Sequence, residues 1–243
     1  MFADDVKLYT EIKSQTDFQN FQLCLNKLEN WAEIWQLKFS INKCCILDIG
    51  LCKMMNINIY DCFLDDTKLG KVQSCRDLGV TVDSKLSFSY HMIDIVTRAK
   101  QRMSLLLRTF ISKDPSMLVL AFRTYVLPLL DYCCQVWSPH LIKDILLIES
   151  VQRIFTKRLI GLKDFSYTDR LKLLNIISLE RRRLEFDLIL CYKILHRIVS
   201  GTPEKYGLVL SNRKSRGHSL KLNTENAKID VRKILILFCE QSL

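Results

Sequence analysis

The residues best suited to chemistry stand at the start of the chain, where Ala3-Asp4-Asp5 precedes Val6-Lys7-Leu8-Tyr9-Thr10, an alternation of apolar and polar residues typical of a strand. Two adjacent carboxylates on a tight turn between strands can hold Mg²⁺, a hard cation that takes oxygen ligands and keeps only one or two carboxylates from the protein. A metal held there would activate an attacking hydroxyl and neutralise charge on a transferring phosphoryl group. Taken alone, the same residues also describe an ordinary polar turn.

The elements that must position this turn follow in sequence. Thr16 to Gln19 fits a capping box, and Phe18, Phe21, Leu25, Leu28, Ala32 and Trp35 share one face of a predicted helix. Phe39–Ile41, Cys45–Ile49, Ile57–Tyr60 and Leu78–Val82 are expected strands. Near residue 88 the apolar period changes to three and four. Met92, Ile95, Val96, Ala99, Met103, Leu106 and Phe110 predict a long helix, and Asp114-Pro115 opens another that runs toward Pro128. Ile145, Ile148, Val151, Phe155 and Leu159 predict a helix over 140–160 stopped by Gly161, with further helices over 168–174 and 179–199. The expected fold is α+β: a short sheet with a packed helix over residues 1–88, an all-helical region over 89–203, and a basic tail over 204–243.

Charge follows the same division. Residues 1–90 carry 10 Lys and Arg against 12 Asp and Glu, a net of −2, and residues 91–243 carry 26 against 14, a net of +12. A basic half of that kind is the electrostatic footprint of a polyanion partner, or else a set of solvated helix faces. The 10 cysteines include no C-x-x-C pair, so they read as small core residues in a reducing compartment rather than as zinc ligands. Met1-Phe2-Ala3-Asp4-Asp5 lacks the basic and apolar regions of a signal peptide. Charges interrupt every apolar run well short of the roughly 18–20 residues of a membrane span. The expected location is intracellular, in cytoplasm or nucleus, with no membrane partner.

Phe2-Ala3-Asp4-Asp5-Val6 resembles the catalytic acidic motif of non-LTR (LINE-type, jockey-like) retrotransposon reverse transcriptases. The segments after it match that family in order: Leu25-Asn26-Lys27-Leu28-Glu29-Asn30-Trp31-Ala32, Asn42-Lys43-Cys44, Asp48-Ile49-Gly50 and Asp77-Leu78-Gly79-Val80-Thr81-Val82-Asp83. Tyr125-Val126-Leu127-Pro128, Val136-Trp137-Ser138-Pro139, Val151 to Lys157, Arg170-Leu171, Ser178 to Arg183, Tyr192 to Leu195 and Arg216 to Leu220 continue it, over roughly residues 1–225. The ordered set is far more specific than any one motif.

The resemblance implies the end of a palm followed by a thumb-like helical region, in an RNA-directed DNA polymerase that uses Mg²⁺, an RNA template and a DNA primer. Asp4 would be the metal-ligating carboxylate and Asp5 its lesser neighbour. Lys43 would lie near the phosphates of the incoming nucleotide. Leu78, Gly79 and Val80 would position the primer end. Arg98, Lys100, Arg102, Arg153, Lys157, Arg158, Arg181, Arg182 and Arg183 would contact template–primer phosphates without reading sequence. The family supplies a further metal-binding carboxylate from a strand upstream of the acidic turn, where this sequence has only Met1 and Phe2. The expectation is therefore a fragment that does not catalyse alone, with an upstream palm and fingers polypeptide as a possible partner. Ile234 to Leu243 also departs from the family pattern. The alternatives are a non-enzymatic basic nucleic-acid-binding helical module and a helical interaction protein with merely solvated basic faces.

Overall fold

The computed structural model describes residues 6–50, 61–206, 208–211, 220 and 222. The chain mixes helix with small sheets, as an α+β reading requires, and divides between Ser87 and Phe88 into two compact units.

In the first unit, Ser14 caps helix α1 (Gln15–Ile34). The Ser14 side chain accepts from the Asp17 amide, and the Asp17 carboxylate accepts from the Ser14 amide at 2.9 Å. This reciprocal pair satisfies two donors that a helix start leaves open. It replaces the box expected at Thr16–Gln19. The face of α1 that turns inward presents Phe18, Phe21 and Leu25 to a core with Cys62, Leu64, Leu69, Phe39, Ile41 and Ile46. Trp35, expected on that stripe, is the C-cap residue and is exposed.

The strands are short and pair two by two. β1 (Cys45–Leu47) runs parallel to β4 (Gly70–Val72), β2 (Phe63–Leu64) is antiparallel to β3 (Thr67–Lys68), and β5 (Ser74–Asp77) is antiparallel to β6 (Val80–Asp83). Both hairpins turn on two residues with positive φ, Asp65-Asp66 and Leu78-Gly79. That is the twist-matched geometry of the tightest hairpins. Gln22 ties α1 to β2: its amide donates to the Phe63 carbonyl at 2.9 Å and accepts from the Phe63 amide at 3.0 Å. Residues 6–10 form no strand, and the run expected as a strand at 39–41 leads into a 3-10 turn over Ile41–Lys43. The candidate strand at 57–60 lies outside the described residues.

The second unit is helical: α2 (Ser89–Thr109), α3 (Pro115–Tyr125), α4 (Leu127–Asp131), α5 (Cys134–Trp137), α6 (Ile142–Lys157), α7 (Tyr167–Leu173) and α8 (Leu179–Leu195). α2 buries Met92, Ile95, Val96, Ala99, Met103 and Leu106, the spacing that predicted it. Asp114 caps α3 by accepting from the Met117 amide at 3.1 Å, with Pro115 at the first position, where a missing N–H is harmless. The helix expected to continue to Pro128 breaks at Val126, and Pro128 enters α4 near its start instead. Phe122 and Phe155 stack at 4.1 Å, joining α3 to α6, and Trp137 is buried with its indole N–H on the Tyr132 carbonyl at 2.9 Å. Among the described residues no helix is long and apolar enough to cross a membrane.

Candidate nucleic-acid interface

Asp4 and Asp5 lie outside the described residues. The segment just beyond them has no regular secondary structure, and Lys7 forms an ion pair with Asp77, the last residue of β5. Among the described residues no group of three or more His, Cys, Asp or Glu could hold a metal ion.

Lys43 is exposed at the end of the 3-10 turn, and the chain becomes extended at Cys44 to enter β1. Leu78, Gly79 and Val80 do not form one strand segment. Leu78 and Gly79 are the turn of the β5–β6 hairpin, with φ of 45° and 87°, and only Val80 belongs to β6. Leu78 is substantially exposed at the tip, while Val80 is buried. A leucine at positive φ is unusual, because its Cβ crowds the neighbouring carbonyl. The Leu-Gly pair is not a usual turn signal, so the sequence pattern read through it as strand.

The basic residues divide by helix register. On α2, Arg98 pairs with Asp94 one turn earlier at 2.6 Å, Lys100 is half-buried, and exposed Arg102 reaches the Tyr125 carbonyl at 3.4 Å. On α6, Arg153 and Lys157 are exposed, and Arg158 follows as the C-cap residue. The Arg153 guanidinium lies 4.3 Å from the centre of the Tyr167 ring, a cation–π contact within the unit.

The three arginines of α8 fan out over its circumference, because successive helical residues turn by about 100°. Arg181 is exposed and pairs with Glu185 at 3.3 Å, and Arg182 is half-buried against Asp131 at 2.8 Å. Arg183 is 4% exposed. Its burial pulls the guanidinium pKa down, opposed by Glu149, Glu180 and Asp131 around it. Arg183 is thus enclosed, Arg182 is half-buried and engaged with α4, and Arg181 is exposed.

α6 carries a buried polar cluster that the apolar spacing did not reveal. Glu149 accepts from the Tyr167 hydroxyl and from the amides of Leu179 and Glu180 at 3.3 Å, so its carboxylate covers the start of α8. Gln152 donates to the Tyr167 hydroxyl at 3.2 Å and to the Ile177 carbonyl at 2.8 Å. Burial and the Glu149 contact push the Tyr167 phenol well above its ordinary range. These groups satisfy one another and serve architecture.

A different basic cluster surrounds an open cleft of about 750 Å³ between the end of α2, the start of α3 and the end of α6. Arg108, Lys113 and Arg158 line it with Ser104, Leu107, Leu118 and Ile160, and among the described residues no carboxylate lines it. Lys113 Nζ donates to the carbonyls of Leu107 and Phe110 at 2.8 and 2.6 Å, which fixes the ammonium over the end of α2. Arg108 Nε donates to the Ser104 carbonyl at 3.3 Å. The sequence pattern placed Arg158 among the phosphate contacts and missed Lys113, whose only signal is its position just before the Asp114 cap.

The described cysteines are free thiols, with Cys62 and Cys134 buried and Cys24 and Cys45 exposed. Burial pushes the Cys134 thiol up to about 11.

Comparison with known proteins finds a partial relative. An uncharacterized protein of Caenorhabditis elegans is 30% identical over 129 residues, spanning 52% of this chain and 63% of the worm protein. The matched region thus covers less than two thirds of that relative's length. No family model and no solved structure matches the chain.

Proposed function

We propose that the chain is part of a non-LTR retrotransposon reverse transcriptase, and that its helical unit binds nucleic acid through phosphates without reading sequence. The observation that carries the binding half of this reading is the cleft lined by Arg108, Lys113 and Arg158, with no carboxylate lining it among the described residues. Three cations near one cleft favour a polyanion, and the net charge of +12 over residues 91–243 adds long-range attraction. The polymerase half rests on the ordered motifs from Phe2-Ala3-Asp4-Asp5 to Arg216-Gly217-His218. On that reading the primer and template are DNA and RNA, and Mg²⁺ belongs to the Asp4-Asp5 turn.

The test is a titration of the full chain with labelled nucleic acids of unrelated sequence at several salt concentrations. Affinity is expected to fall linearly on a log–log plot and to differ little between sequences. Binding that ignores salt would overturn the reading. On the resemblance the chain alone is a fragment that does not catalyse, so it is expected not to extend a primer on an RNA template with Mg²⁺. Template-dependent extension abolished by Asp4→Asn would overturn that expectation.

A further inference from the structure

The cleft combines two chemistries that a duplex surface would not use together. Arg108, Lys113 and Arg158 supply positive charge, and Leu107, Leu118 and Ile160 supply an aliphatic wall. Ile160 is 67% exposed, so part of that wall is open to solvent. The outside of a duplex offers phosphates and sugars, with base faces hidden in the stack. A single strand offers phosphates and apolar base faces side by side. The volume, about 750 Å³, falls in the range of small-ligand sites, roughly 300–1,000 Å³. That suits a nucleotide or two of a strand and is far short of a duplex.

The cations are held with donors to spare. Lys113 spends two of its three donors on the Leu107 and Phe110 carbonyls, and the Arg108–Ser104 bond uses one of five guanidinium donors. Fixing these groups before a ligand arrives lowers the ordering cost of binding.

We infer that this cleft is a single-strand site, with backbone phosphates held by Arg108, Lys113 and Arg158 and an unstacked base laid against Leu107 and Ile160. The inference rests on the nucleic-acid reading above and narrows it to one place and one form of ligand.

The test uses the full chain, a labelled oligothymidylate, and a mixed-sequence duplex of equal phosphate count, titrated over a salt series. The single strand is expected to bind about tenfold tighter than the duplex, the scale of burying roughly 55 Å² of apolar surface. Replacing both Arg108→Gln and Arg158→Gln should reduce the single-strand salt slope by about 0.7 for each phosphate no longer neutralised. The Lys pair at the same positions should restore the slope. Ile160→Ala, at an exposed position, should weaken single-strand binding severalfold and leave the slope unchanged. Lys143→Gln, exposed in the first turn of α6 and far from its Arg158 end, should alter neither. Salt-dependent binding that prefers the duplex, or that survives the double Gln variant unchanged, would overturn the cleft assignment while sparing the broader reading. No binding to either probe at low salt would overturn both.

Discussion

Arg182 Nε donates to Asp131 Oδ2 at 2.8 Å, joining α8 to the end of α4 across 51 residues of sequence. The side chains retain 34% and 18% of their exposure, so water screens the pair only in part. Burial still outweighs the arginine at Asp131, whose carboxyl is pushed above its ordinary value. The pair therefore works mainly as a clamp that avoids a worse state, an uncompensated carboxylate in a half-dry site.

Arg182→Ala should accordingly destabilise the chain by about 1–3 kcal/mol, the range for a hydrogen bond to a charged group. Arg181→Ala should stay within about 0.5 kcal/mol, because its partner Glu185 shares an exposed helix face. Urea unfolding of both single variants and of the Arg182→Ala, Asp131→Ala pair measures this. Additive effects in the double variant would show that the two residues do not depend on each other.

A second prediction concerns the cluster on α6. Tyr167→Phe removes one donor from the buried Glu149 carboxylate and should cost about 1–3 kcal/mol. Glu149→Ala should cost more, since it leaves the Tyr167 hydroxyl and the amides of Leu179 and Glu180 without that acceptor. Protection of the first α8 amides from hydrogen exchange should fall in Glu149→Ala. Unchanged protection there would show that α8 does not rely on Glu149.

The third prediction is a pH dependence. Burial pushes Asp187 up to about 6, with Arg183 opposing. The folded chain then holds this proton at pH values where the unfolded chain, with an ordinary carboxyl near 3.9, has released it. Stability contributed by the protonated group is full below the unfolded value and is lost as pH rises through the folded value. Asp187→Asn keeps a neutral side chain at every pH, so it should stabilise the chain at about pH 8 relative to about pH 3. Solvent access reduces the difference to about 1 kcal/mol. Unfolding curves for the two proteins at both pH values decide it, and a gain confined to acid would contradict the sign.

The long helices were legible because their determinants are local. Met92 through Leu106 repeat at helical spacing, and Asp114-Pro115 is a cap and first turn in two letters. Misses occurred where two neighbouring local choices compete. Ser14 and Thr16 are both capping residues, and Asp17 settled the matter by reaching back to the Ser14 amide. At Leu78-Gly79 the apolar pattern continued through a turn, because side-chain alternation does not record the sign of φ. Among the basic residues, Arg158 reached the cleft as its charge could suggest, whereas Arg183 turned inward and Arg182 leaned onto Asp131.

The sequence by itself determined the long helices, the placement of the α3 cap, and the uneven charge of the two halves, since each depends on residue type and spacing along the chain. Only the tertiary structure decided which arginines meet solvent and which meet Asp131 or Glu149, because burial on α8 depends on what packs around it. The cleft belongs to the same class. Arg158 stands far from Arg108 and Lys113 in sequence, and only the approach of α2, α3 and α6 makes one site of them.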